Sequence, residues 1–212
     1  MKLLFRGILK QENQLPKGNL PNNAVKFNEA SNIAQLYLMT LIIAAIMSIV
    51  FGVMVNLIKP LNKIDFSITN NGLLLFLFSI IPHELLHAIC FGKHSEVSLY
   101  FSPKYLMAFT YSTNPISKKR FIWMSLCPTI VFGVIPLLIC IFTADVYGLH
   151  DILLTFSFYS FIGGSGDYIN VFNAFVQMPA ESKQQMSGFN SYWFIPLQTI
   201  EANKKIEKGN FQ

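Results

Sequence analysis

The sequence predicts an all-α membrane protein with about four transmembrane helices and a short β-hairpin in the loop between helices 2 and 3. Three observations carry that prediction. Of 212 residues, 52% are hydrophobic and 13% charged, against roughly a quarter charged in an average soluble domain; the mean hydropathy is +0.44. Four segments approach the roughly 20 apolar residues that a helix needs to cross a bilayer. Lysines and arginines fall between those segments in alternating numbers.

Residues 1–35 read as a polar cytoplasmic tail, in which Pro16 and Pro21 argue against a long helix. The opening "MKLLFRGILKQENQLPKGN" lacks the run of about 7–15 apolar residues of a secretory signal, so it is expected to stay attached. The membrane core is expected over residues 36–178. Its first span, 36–58, contains no charge before Lys59, and its second, 72–91, is "GLLLFLFSIIPHELLHAICF". Between spans two and three, "VSLYF" and "LMAFTY" flank Ser102-Pro103-Lys104-Tyr105, a strand–turn–strand pattern that predicts a hairpin at the membrane surface.

The third span is expected over 121–143. The fourth, 149–178, is longer than one crossing and is interrupted by Gly163-Gly164-Ser165-Gly166, where the helix is expected to break or tilt. Residues 179–212 form a second cytoplasmic tail. Lys and Arg number five, two, five, zero and four in the successive non-membrane segments, which places both termini and the second loop in the cytoplasm of a multi-pass cell-membrane protein. The net charge of +5 is modest and dispersed, suited to an anionic leaflet and not to nucleic acid. Cys90, Cys127 and Cys140 sit in apolar runs without paired spacing and read as small buried hydrophobes.

Charges inside such spans are costly unless paired or bound to a metal. Deep in the spans lie Glu84 and Asp167, with His83 and His87. His83-Glu84-Leu85-Leu86-His87 is an H-E-x-x-H pattern. On a helix, i and i+4 stand about 40° apart on one face, so the two histidines can hold one Zn²⁺. Glu84 then stands beside the metal, where it can take a proton from bound water. A catalytic zinc takes three protein ligands and keeps one position open. The candidate third ligand is Asp167, whose carboxylate needs a cation in spans that hold no Lys or Arg; the alternative is a helix-capping aspartate after the glycines. Asn170 and Asn173 follow on nearly the same face, either to support the ligand or to pack between helices. His94 reads as a loop histidine, and His150 falls on the opposite side of the membrane.

"PHELLHAICFGK", "SLCPTIVFGVIP" and "GGSGDYINVFNAFVQ", with the strand-rich loop, resemble the zincin peptidase family of small bacterial integral membrane proteins over most of residues 12–200. More distantly the chain is similar to site-two proteases, which also pair a membrane-embedded H-E-x-x-H with an aspartate on a later span. It lacks their N-P-x-P-x-x-D-G signature and any PDZ-like domain. The resemblance implies that His83, His87 and Asp167 bind zinc and that Glu84 is the catalytic acid/base. It implies an integral membrane zinc metallopeptidase, whose partners are a protein or peptide substrate and the lipid bilayer. The alternative is a zinc transporter or a non-catalytic metal-binding membrane protein. Transport needs a polar path through both leaflets, and metal binding alone would not need Glu84.

Overall fold

The structure, a computed structural model, describes residues 1–62, 67–105, 107–143 and 145–197, with side chains 58–62 outside that description. Lys63, Lys204, Lys205 and Lys208, used above for orientation, lie outside the described residues. The chain forms two compact units. Of the described residues, one unit comprises Ala30–His87 and Met124–Val171, and the other comprises Met1–Glu29, Ala88–Trp123 and residues 172–197.

The first unit is helical. Helix α1 (Ile33–Asn62) begins behind Asn32, whose side-chain oxygen accepts the Gln35 N–H at 2.9 Å as an N-cap. Helix α2 (Asn70–Cys90) begins behind Thr69, whose hydroxyl accepts the Gly72 N–H at 3.2 Å. Pro82 lies inside α2 without ending it. Helix α3 (Lys118–Pro128) continues through a π-helical segment, Thr129–Val134, into α4 (Ile135–Phe142). Helices α5 (Leu149–Gly163) and α6 (Ser165–Gln177) follow.

The unit's core joins Phe51 and Val55 of α1, Leu137 and Cys140 of α4, and Leu154 and Phe161 of α5. Phe51 meets the rings of Phe158 and Phe161 at 5.4 and 5.6 Å. Glycine permits the closest approach of α2 to α5. A Cβ on Gly72 would stand 2.4 Å from Thr155 Cβ and 2.6 Å from the Ile152 carbonyl.

Among the described residues, three helical stretches, Ile33–Leu57, Asn70–Cys90 and Lys118–Phe142, are long and apolar enough to cross a membrane. Much of α1's apolar surface faces outward, with Leu41, Ile49 and Leu57 each about 70% exposed. So large an exposed apolar surface suits lipid better than water. The fourth segment is broken at the glycines, as the sequence predicts. It is two helices, and α5, with 15 residues, rises only about 22 Å. The chain is therefore predominantly helical, with three to four apolar helices.

The all-α expectation is corrected, because the second unit is built on strands. Strand β1 (Lys2–Ile8) pairs in parallel with β3 (Glu96–Ser102), which pairs antiparallel with β4 (Met107–Tyr111). A four-stranded antiparallel sheet has the order β2 (Val25–Lys26), β7 (Asn190–Phe194), β6 (Lys183–Ser187), β5 (Ile116–Ser117). Strands thus occupy both segments read from sequence as tails. Their partners explain why they were missed: Lys2 pairs with Glu96 and Val25 with Trp193, and no local pattern announces a partner so far along the chain. Gly188, at φ 59°, makes the tight β6–β7 turn that an L side chain would strain.

Candidate metal centre

Helix α2 places His83 and His87 one turn apart on one face, their ring centroids 4.8 Å apart and nearly perpendicular. Glu84 is buried between them in sequence, and the ligand-capable atoms of His83, Glu84 and His87 all lie within 4.8 Å of one another.

The other half of the site comes from the α5–α6 junction. Helix α5 ends at Gly163, Gly164 caps it, and Asp167 falls in the first turn of α6. The glycines are needed for close approach. A Cβ on Gly163 would stand 2.9 Å from the Phe76 ring of α2, and one on Gly164 would stand 2.8 Å from Thr129 Oγ1. Gly166 has open space and no such requirement.

The junction turns the Asp167 carboxylate onto both histidines. Oδ2 lies 3.2 Å from His83 Nε2, and Oδ1 lies 3.2 Å from His87 Nε2. The side chains of His83, His87 and Asp167 are 22%, 9% and 12% exposed, so the cluster is enclosed yet reachable.

His87 Nδ1 lies 2.9 Å from the Met124 carbonyl oxygen. A carbonyl only accepts, so Nδ1 carries the hydrogen and donates it. That bond fixes the ring's orientation and leaves Nε2, aimed at Asp167, as the nitrogen available for a cation.

The donor set fits zinc. Four ligands at about 2.0–2.1 Å from a tetrahedral Zn²⁺ stand roughly 3.3 Å from one another. The two Nε2–carboxylate separations of 3.2 Å, each to a different oxygen, are compatible with that edge. Two imidazoles and a carboxylate, with a further carboxylate alongside, are the donors a catalytic zinc takes. Among the described residues, the buried side-chain oxygens of Thr129 and Tyr168 have no hydrogen-bond partner.

Asn173 Oδ1 accepts from Gln177 Nε2 at 2.9 Å, and Gln177 in turn bonds both backbone groups of Asn28. This commits Asn173 to tying down the chain at Asn28. Asn170 is half-buried on α6, and His94 is exposed in a turn. His150 is buried with Nε2 3.2 Å from Thr143 Oγ1. Sequence reasoning missed the Met124 carbonyl, because only packing shows which side chain a free backbone acceptor meets.

No curated protein and no solved structure matches the chain. The family described as "Putative zincin peptidase" matches residues 76–183, just over half of the chain and a stretch that spans His83 through Asp167. The matched residues include the α2 face and the α5–α6 junction, and the chain belongs to this zincin peptidase family.

Proposed function

We propose that the chain is an integral membrane zinc metallopeptidase that hydrolyses peptide bonds at or within the membrane. His83, His87 and Asp167 hold the ion, and Glu84 is the general base and acid. The observation that carries this reading is the pair of histidine nitrogens set 3.2 Å from the two oxygens of one carboxylate.

When bound there, zinc would polarise the scissile carbonyl and lower the pKa of a water it holds to about 7. The chain's own residues do the rest. Asp167 and the two imidazoles fix the ion's place, and the Met124 carbonyl holds His87 in the tautomer that keeps Nε2 free. Glu84, largely shielded from solvent, takes the proton of the attacking water and passes it to the leaving nitrogen. One water is consumed, the C–N bond breaks, and a carboxylate and an ammonium group form. Asp167 is favoured over Glu84 as third ligand because its oxygens already stand at ligand–ligand spacing from both Nε2 atoms.

Four membrane crossings, with α5 and α6 together as the fourth, and cytoplasmic termini complete the proposal. The alternation of Lys and Arg supports that orientation. The β3–β4 pair would then lie at the cytoplasmic surface.

Metal content of the purified protein, wild type beside Asp167→Ala, tests the site. Wild type is expected to hold about one zinc per chain and the variant to bind it at least about 100-fold more weakly. A variant that retains zinc at wild-type affinity would falsify the ligand set.

A further inference from the structure

The carbonyl that holds His87 belongs to Met124, in the middle of α3. Inside an α-helix that oxygen would ordinarily accept the N–H of the residue four positions on and be unavailable to a neighbouring helix. Four positions on stands Pro128, which has no N–H. The helical bond to Met124 O cannot form, and a buried carbonyl left without a partner is costly. His87 Nδ1 supplies the missing donor at 2.9 Å.

The local structure accords with this. Pro128 is among the fully buried side chains, and the helix passes into its π segment at the next residue, Thr129. π segments occur mostly as single-turn insertions in α-helices, frequently at functional sites.

We propose that Pro128 is a positioning residue for the metal centre: by removing the N–H that would otherwise occupy the Met124 carbonyl, it reserves that oxygen for His87 Nδ1. The exchange serves both helices, since α3 recovers an acceptor's partner and α2 acquires a fixed imidazole. Pro136, in α4, is the natural control. It likewise brings no N–H to its helix, but none of the centre's described contacts uses a carbonyl of that turn. The inference rests on the zinc reading for its effect on affinity but not for its hydrogen bond.

Pro128→Ala restores an N–H that competes for Met124 O. Zinc affinity, measured by competition with a chelator on the full chain in detergent, is expected to fall about 10- to 100-fold, as loss of a ligand's hydrogen-bond partner does. Pro136→Ala should leave zinc affinity within about twofold of wild type, because no ligand loses its partner there. A merely structural proline would change thermal stability without this split. A folded Pro128→Ala with wild-type zinc affinity overturns the proposal, as does an equal loss in both variants.

A second measurement needs no substitution. With ¹⁵N-histidine and ¹³C-carbonyl methionine in the wild-type chain, solid-state NMR should show dipolar contact between His87 Nδ1 and the Met124 carbonyl, with the hydrogen on Nδ1. Absence of that contact overturns the proposal even where Pro128→Ala does not fold. A wild-type chain that shows the contact but binds no zinc would sink the metal reading and leave the hydrogen-bond assignment standing.

Discussion

Helices α1 and α2 are both long and apolar, and each carries a few polar side chains. In α1 those side chains turn back on their own helix. The hydroxyls of Thr40 and Ser48 and the amide of Asn56 donate to the carbonyls of Tyr37, Ala44 and Gly52 at 2.8–2.9 Å. In α2 Ser79 does the same, donating to the Phe76 carbonyl at 2.7 Å. Its histidines instead meet groups from α3 and α6, the Met124 carbonyl and the Asp167 carboxylate. A helix in lipid can satisfy small polar groups alone. An imidazole that must keep one nitrogen free for a metal needs its other nitrogen fixed from outside. The difference marks α1 as support and α2 as the element that carries chemistry.

The largest test of that division is Glu84→Gln. The substitution keeps size and hydrogen bonding but removes the base, so cleavage of a peptide substrate should fall about 100- to 10,000-fold with zinc retained. Zinc loss in this variant would make Glu84 a ligand, and full turnover would remove it from the mechanism. No substitution on α1 should approach this effect.

Packing separates the helices next. Gly72→Ala drives a methyl group against Thr155 Cβ and the Ile152 carbonyl, the latter backbone that cannot swing aside. Thermal unfolding in detergent should show a loss of about 1–3 kcal/mol. Gly52 of α1 has no atom within 4 Å of a built Cβ, so Gly52→Ala should stabilise by up to about 1 kcal/mol through helix propensity. Equal signs for the two variants would mean that α2 is not held against α5 as described.

The smallest effect belongs to Ser48→Ala on α1, which removes a hydroxyl bonded only to its own helix. It should stay within about 0.5 kcal/mol and leave zinc content unchanged, as substitutions away from special features do. A drop in zinc content would show that α1 takes part in the centre and is more than support for α2.

What the sequence determined by itself was local. The apolar runs of α1, α2 and α3–α4 follow from composition, because a membrane-crossing helix satisfies its backbone internally and needs no partner to be recognised. The one-face placement of His83 and His87 follows from helical periodicity, and the glycine interruption before Asp167 was visible as a break. Tertiary structure decided the rest, because each remaining feature joins residues far apart in sequence. Strand β1 exists beside β3, and β2 beside β7, and neither segment has a pattern strong enough to stand alone. The 3.2 Å approach of Asp167 to both histidines depends on glycines 163 and 164 fitting against Phe76 and Thr129. The Met124 carbonyl became a partner of His87 only when α3 packed beside α2, although Pro128 had already left it free to accept. A sequence states which backbone groups lack a helical partner, but only packing brings the group that takes its place.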